Sequence, residues 1–154
     1  MRPDQFIDFA TELANSAGSG AAAHRSATSR AYYGVYHAVR FLIEKGLSIS
    51  CRAEAGGNEH KLVQEFLKNC QVEEAAEVGR LLGNLHKSRR AADYDLDETS
   101  PETQADSQLS VARARNILAK LQECATGPLR QKIIAGMSQH KNVRNRGNPR
   151  TPSQ

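Results

Sequence analysis

The chain has little of several residue types that mark particular classes of protein. Its 154 residues include no tryptophan, four tyrosines, four phenylalanines and three cysteines. The cysteines (Cys51, Cys70 and Cys124) are odd in number, widely separated and without a CxxC pair. This spacing argues against both a disulfide framework and a zinc knuckle. We therefore expect a reducing, cytoplasmic setting.

Long apolar runs and strand patterns are also missing. No stretch approaches the roughly 18–20 apolar residues that a membrane span needs, and the N-terminal stretch MRPDQFIDFATEL lacks the apolar region of a signal peptide. No segment alternates apolar and polar residues with β-branched enrichment. The sequence predicts an all-α protein with no membrane partner.

Acidic residues are absent from the C-terminal part of the chain. From Thr126 onward there are six Lys or Arg and no Asp or Glu. The whole chain has 21 basic and 17 acidic residues, so the remainder carries 21 − 6 = 15 basic against 17 acidic ones, a net charge of −2. Beyond the short apolar patch LRQKIIAGM the apolar periodicity ends. We expect residues 127–154 to form a basic, largely disordered tail.

Helical spacing dominates residues 1–126 and predicts one domain, a bundle of about five helices. The second helix is expected from Arg25 to Lys45, followed by a flexible loop, CRAEAGGNE. The fourth helix is expected in AAEVGRLLGNLHKSRRAADY. For the fifth helix, Ser100 is the predicted N-cap and Pro101 the first helical residue.

The second helix contains the stretch SRAYYGVYHAVRF, which holds three of the four tyrosines. At ~100° per residue, Tyr32 and Tyr36 fall on the apolar side and face inward. The opposite side collects Arg30, Tyr33, His37, Arg40 and Glu44. This side is either an ordinary solvated face or an interface or ligand-binding face, since Tyr, Arg and His together are typical of such surfaces.

The fourth helix places an arginine on its apolar stripe. Arg89 lies within the stripe, whereas Arg90 points roughly 100° away towards solvent. An arginine on a core-facing stripe must find a partner for its charge. Asp93, four residues on, can supply a local ion pair. Alternatively, Arg89 projects into a cleft and holds a phosphate, for which a guanidinium fork is well suited.

Three stretches, SRAYYGVYHAVRFLIEKGL, EHKLVQEF and LHKSRRAADYD, resemble the HEPN domain family in order and spacing. The resemblance covers about residues 5–125. It is closest to small stand-alone members with the signatures S-R-A-Y-Y-x-x-[FY]-H-A, here Ser29–Ala38, and R-x-x-A-D-Y, here Arg89–Tyr94. The resemblance implies an up-and-down helical bundle that forms a homodimer with a polar cleft at the dimer interface.

The resemblance also implies a range of functions. Many HEPN proteins are metal-independent ribonucleases that act as toxins in toxin–antitoxin or phage-defence systems, often beside a small nucleotidyltransferase. Others bind nucleotides or serve as accessory modules. Catalytic members carry an arginine followed, four to six residues later, by a histidine. The arginine stabilises charge on the phosphate and the histidine moves a proton.

At the position of that histidine this chain has Tyr94, which is a poor base at neutral pH because the pKa of tyrosine is near ~10. His37 shares a face with Arg30 and could supply the imidazole if a dimer cleft brings the second and fourth helices together. The hypothetical catalytic residues are Arg89, Tyr94 and His37. The hypothetical RNA- or nucleotide-binding residues are Arg30, Tyr33, Arg40, Arg90 and Asp93.

Three classes of function remain open from the sequence. The first is a HEPN ribonuclease toxin. The second is a non-catalytic HEPN module that binds RNA or a nucleotide, or that partners a nucleotidyltransferase or a larger defence complex. The third is a structural helical dimer. No metal or cofactor is expected, because the five histidines and three cysteines are scattered and no GxxxxGK[ST] or GxGxxG loop is present.

Overall fold

The computed structural model describes residues 2–16, 18 and 20–147, and every regular element in these ranges is helical. The all-α prediction is confirmed, with seven α-helices where about five were expected. The helices are α1 (Pro3–Asn15), α2 (Ala21–Leu47), α3 (Cys51–Ala55), α4 (Glu59–Lys68), α5 (Glu73–Tyr94), α6 (Gln104–Cys124) and α7 (Gly127–Gly147). Within the described ranges, no helix is long and apolar enough to cross a membrane.

Helix α2 is the longest element, with 27 residues, and α1, α5 and α6 all pack against it. Its apolar side is buried as the helical spacing predicts, and Tyr32 and Tyr36 are 0% and 4% exposed. Gly34 lets α1 approach closely, because a Cβ at this position would lie 2.6 Å from Cγ1 of Ile7. This close approach forms one wall of the core.

The segment after α2 contains a helix where a flexible loop was predicted. The Ser50 hydroxyl accepts a hydrogen bond from the N–H of Ala53 and begins α3, which buries Cys51. Gly56, with φ of +56°, ends it in the left-handed region. A short helix therefore forms because the cap and the buried thiol fix its first turn.

The start of the fifth predicted helix also differs. Residues Ser100–Glu102 form a 3₁₀ turn, and α6 begins only after it. Thr103, not Ser100, is the N-cap, because its Oγ1 accepts the N–H of Asp106 at 3.1 Å. Pro101 is buried. The predicted N-cap was therefore wrong by three residues, since a second capping residue lay just downstream.

The C-terminal segment is the largest departure from the sequence predictions. Residues predicted as a disordered tail form α7, which buries Ile133 and Met137 completely. Gly136 lies so close to the carbonyl of Cys70 that no side chain would fit there. Arg144 donates a 3.0 Å hydrogen bond to the carbonyl of Glu54. The prediction of disorder, and of a bundle that ends at residue 126, is therefore wrong as far as Gly147. Residues 148–154 lie outside the described ranges.

Candidate anion-binding site

The two signature segments, some fifty residues apart in sequence, meet within one chain. The Ser29 hydroxyl of α2 donates a 3.2 Å hydrogen bond to Oδ2 of Asp93 on α5. Nη2 of Arg89 donates a 2.8 Å hydrogen bond to the Tyr33 hydroxyl. The packing of α5 against α2 therefore assembles a polar group whose members come from both signatures.

Arg89 is the centre of this group and is only 8% exposed. Its Nε lies 2.7 Å from Oδ2 of Asp93, an ion pair whose N–H is not aligned as a hydrogen bond. Nη2 also donates to the Tyr94 hydroxyl at 3.1 Å. The local ion pair expected from the i, i+4 spacing is therefore present. Nη1, in contrast, has no hydrogen-bond or ion-pair partner among the described residues.

Two tyrosine rings flank the guanidinium of Arg89. Its Cζ lies 5.2 Å from the ring centroid of Tyr33 and 5.0 Å from that of Tyr94, within the range of cation–π contact. Burial opposes the positive charge, but Tyr33, Asp93 and Tyr94 outweigh it and raise the pKa of Arg89. The site therefore holds a permanent cation. Tyr94 is 69% exposed and leaves one side of the site accessible.

Two histidines, His60 and His86, lie next to the site on its buried side, against Tyr32. The sequence did not assign either of them to the site. Nδ1 of His60 is 2.7 Å from the Tyr32 hydroxyl, and the His86 ring is stacked on Tyr32 with centroids 5.0 Å apart. The two imidazole rings are 5.1 Å apart. His60, near the start of α4, is therefore half-buried against the ring of Tyr32. His86 precedes Arg89 by three residues, and this spacing was the signal that could have placed it on the same face of α5.

These histidines are held in the neutral form. Burial, followed by the neighbouring His60, Arg89 and Arg90, lowers the pKa of His86 to about 4. Burial and the charge of Arg89 also lower the pKa of His60. Burial raises the pKa of Tyr32 above its ordinary value. At neutral pH, uncharged imidazoles therefore stand next to one fixed positive charge.

His37 lies at the edge of the site. Its ring is 6.0 Å from that of Tyr33 and 5.3 Å from that of Phe6 (centroid to centroid), and it makes no hydrogen bond to Arg89. Burial, followed by the charge of Arg40, lowers the pKa of His37. Arg89 and its partners Tyr33, Asp93 and Tyr94 form one connected set, the Arg89 group. His37 contacts this group only through the ring of Tyr33.

Arg40 belongs to a separate acidic group. It pairs with Glu44 at 3.4 Å and with Glu59 at 3.7 Å. The Tyr36 hydroxyl donates to Glu59, and burial, together with this carboxylate, raises the pKa of Tyr36 to about 12. The charge of Arg40 is therefore already balanced, which leaves it less suited to a ligand than Arg89.

The remaining predicted binding residues do not join the Arg89 group. Arg30 and Arg90 are exposed and make no ion pair or hydrogen bond with any residue that the structure describes. Tyr33, Arg89, Asp93 and Tyr94 form the connected set. Over the described part of the chain, no three His, Cys, Asp or Glu side chains are placed to hold a metal ion.

Comparisons with family models, with curated proteins and with solved structures give no match to this chain. The HEPN resemblance therefore stays a prediction. The chemical features of the site are a buried cation with an open donor, two flanking tyrosine rings and neutral imidazoles behind them. Such an arrangement can bind an anion and stack a flat ring.

Proposed function

We propose that this chain is a HEPN-type protein that binds RNA or a nucleotide through a phosphate at Arg89. The observation that carries the proposal is the buried guanidinium whose Nη1 has no partner among the described residues. A phosphate oxygen would complete the arginine fork with a charge-assisted hydrogen bond. The rings of Tyr33 and Tyr94 provide surfaces on which a base can stack.

We further propose the biological setting that the resemblance implies. The protein acts in a toxin–antitoxin or phage-defence system and has a nucleotidyltransferase as its partner. The three buried free cysteines suit a reducing compartment such as the cytoplasm. Induced expression of the chain alone tests the toxin role, because a toxin without its antitoxin arrests growth. Unimpaired growth contradicts it.

Binding without cleavage is the version that the geometry favours. Tyr94 stands where catalytic members carry a histidine, and none of the described imidazoles hydrogen-bonds Arg89. This observation supports the non-catalytic module, which binds RNA or a nucleotide without cleaving it. A ribonuclease would need an imidazole from His37, placed against Arg89 by a second subunit.

The proposed homodimer has a suitable surface next to His37. Phe41 is 62% exposed and stands between two grooves with volumes of about 460 and 660 Å³. The second groove is lined by Phe6 and His37. In an isologous dimer, the Phe41 ring of each copy would insert into a groove on the same face of the other copy. Such a contact would bring the two His37 side chains near the interface.

The binding proposal is tested by fluorescence anisotropy with a labelled single-stranded RNA over a range of salt concentrations. Arg89→Gln should weaken binding about tenfold or more and reduce the dependence on log salt by about one unit. Arg80→Gln is the matched control, because Arg80 lies on the same helix and pairs with Glu73 at the surface. Equal affinity of the Arg89 and Arg80 variants would refute the proposal.

The cleavage alternative is tested by incubating total RNA with wild type, His37→Ala and Arg89→Ala. RNA that is bound but left intact by the wild type supports the non-catalytic module. Cleavage that is lost in both variants instead establishes the nuclease. Equal cleavage by all three proteins excludes a nuclease site built on these residues.

The dimer is tested by light scattering. Phe41→Glu should convert a dimer of the 154-residue chain into a monomer. Val143→Glu is the matched control, because Val143 is similarly exposed, at 61%, on α7. A wild-type protein that scatters as a monomer would contradict the proposed homodimer.

A further inference from the structure

His60 and His86 form an imidazole pair on the buried side of the Arg89 group. The two ring centroids lie 5.1 Å apart, and both rings contact the ring of Tyr32. His86 lies almost one helical turn before Arg89 on α5. The ring of His60 is 6.2 Å (centroid to centroid) from that of Tyr33, whose hydroxyl accepts a hydrogen bond from Arg89. The imidazole pair therefore packs next to the binding site without a hydrogen bond to Arg89.

The charge of Arg89 is already matched within the Arg89 group. Nε of the guanidinium lies 2.7 Å from Oδ2 of Asp93. A phosphate that binds at Nη1 therefore brings a negative charge for which the group holds no further cation. Because Arg89 is only 8% exposed, solvent compensates this charge weakly. Tight binding of a phosphate thus calls for one more positive charge close to Arg89.

The imidazole pair can supply this charge by taking up a proton. The titratable and charged side chains that face the pair come from three helices: Tyr32, Tyr33, Tyr36 and His37 on α2, Glu59 on α4, and Arg89 and Arg90 on α5. The carboxylate of Glu59 is already paired with Arg40 and accepts from the Tyr36 hydroxyl. Among side-chain types, histidine is the one that ordinarily changes its charge between about pH 5 and about pH 8.

The charge of Arg89 opposes protonation of the imidazole pair, and a bound anion would relieve this opposition. Burial is the main cause that lowers the pKa of His60 and of His86, and the charge of Arg89 contributes to both. An anion at Arg89 offsets that charge and so raises both pKa values. Proton uptake and anion binding therefore favour each other.

The hydrogen bonds of the pair suit both protonation states. Nδ1 of His60 lies 2.7 Å from the Tyr32 hydroxyl, and Nδ1 of His86 lies 3.4 Å from the side-chain amide of Gln64. A hydroxyl donates or accepts, and an amide presents either its NH2 group or its oxygen. Each partner therefore satisfies a neutral imidazole and an imidazolium alike. In the part of the chain that the structure describes, Nε2 of neither ring is a buried atom without a partner, so solvent can deliver the proton.

We propose that the imidazole pair is a proton-dependent part of the anion site, so that a phosphate at Arg89 binds more tightly when His60 or His86 takes up a proton from solvent. The proton adds to the unprotonated nitrogen of the ring, and no other bond forms or breaks. This regulation rests on the proposed function, since it requires a phosphate at Arg89, and it makes the affinity rise as the pH falls.

Fluorescence anisotropy with an oligouridylate measures this dependence, because uracil bases and phosphodiesters do not titrate in the range where histidine does. With a pH-insensitive dye on the RNA, the wild type should bind at least about threefold more tightly at about pH 5.5 than at about pH 7.5. The double variant His60→Gln/His86→Gln should lose most of this gain, with a remainder from His37. The control His140→Gln, on α7 against Phe66, should keep it. An equal gain in the wild type and the double variant would overturn the proposal, as would no gain in the wild type.

Histidine side-chain NMR of the wild type gives a second measurement that requires no variant to fold. At saturating oligouridylate, the pKa of at least one of the two rings should rise by about 1. Unchanged pKa values of both rings would overturn the proposed regulation although RNA is bound. An oligouridylate that binds at neither pH would instead contradict the proposed function, and the regulation with it. The two failures are therefore distinguishable.

Discussion

Two arginines that are buried to the same extent have very different surroundings. Arg25 on α2 and Arg89 on α5 are each 8% exposed, and each reaches across to the other helix or its end. The partners of Arg25 are mainly backbone carbonyls, including those of Ala92 and Asp95, together with the carboxylate of Glu102 at 2.8 Å. The partners of Arg89 are side chains alone.

The two arginines differ in whether every guanidinium nitrogen has a partner. All three guanidinium nitrogens of Arg25 donate hydrogen bonds. These bonds satisfy carbonyls at the C-terminal end of α5, which have no partner within the helix, and a cation is favoured there. Nη1 of Arg89 has no partner among the described residues, and the rings of Tyr33 and Tyr94 flank the guanidinium. Equal burial thus accompanies a guanidinium with every nitrogen hydrogen-bonded in one case and, within the described ranges, one with an unpaired nitrogen in the other.

The strongest way to test this comparison is to remove Arg25. Arg25→Met should lower the free energy of unfolding by about 3–5 kcal/mol, because several carbonyls at the C-terminal end of α5 would be left without a partner. Urea unfolding followed by circular dichroism measures the change. In the control Arg80→Met, the lost ion pair with Glu73 is at the surface, and the cost should be below about 1 kcal/mol. Similar costs for the two variants would contradict the structural role of Arg25.

The sequence predicted Arg89 but not Arg25, for a physical reason. The ion-pair partner of Arg89 is four residues away on the same helix, so the helical period alone brings them together. The partners of Arg25 lie 66 to 77 residues later and are mostly backbone carbonyls. Every residue carries a carbonyl, so no pattern of residue types can identify such a contact.

The fold shows the same distinction between contacts within one segment and contacts between residues that are far apart in sequence. Helical spacing was enough for the all-α class and for the buried side of α2, because each is a property of one segment. It was not enough for α7, which has two fully buried residues, Ile133 and Met137, and depends on its contacts with α2 and α4. His60 likewise joins the candidate site only because α4 packs near α2.

The surroundings of Arg89 should also make stability depend on pH through His86. Its pKa is about 4 in the folded chain and near 6.5 when unfolded. Between these values the unfolded state binds a proton that the folded state does not, so the free energy of unfolding should fall as pH falls through this window. Because the His86 ring is partly exposed, solvent weakens the effect of the pKa shift on stability. We therefore expect a loss on the order of 2 kcal/mol in the free energy of unfolding.

Urea unfolding at a series of pH values measures this dependence. His86→Gln should reduce the slope between pH 6.5 and 4, since glutamine does not titrate there, and the lowered pKa values of His60 and His37 should leave a smaller slope. Arg89→Gln should make the slope shallower, because the charge of Arg89 is one of the causes that lower the pKa of His86. An unchanged slope in His86→Gln would show that His86 is protonated equally in both states.

Removal of Arg89 should cost less stability than removal of Arg25. Arg89→Met loses the ion pair with Asp93 and the hydrogen bonds to Tyr33 and Tyr94, yet both freed hydroxyls and the carboxylate have access to solvent. We expect a loss of about 1–2 kcal/mol in the same unfolding experiment. A loss as large as that of Arg25→Met would mean that the open nitrogen does not distinguish the two arginines.

The smallest effect should come from the Tyr94 hydroxyl. Tyr94→Phe removes the 3.1 Å hydrogen bond from Arg89 but keeps the ring, whose centroid is 5.0 Å from the guanidinium. We expect below about 1 kcal/mol in the free energy of unfolding and nearly unchanged RNA affinity in the anisotropy assay, whereas Tyr94→Ala should cost about 1–3 kcal/mol of binding through lost stacking. If Tyr94→Phe instead weakened RNA binding as much as Arg89→Gln, the hydroxyl itself would contact the RNA. The ligand would then be recognised by a tyrosine–arginine pair, and the open nitrogen of Arg89 would be only part of what separates it from Arg25.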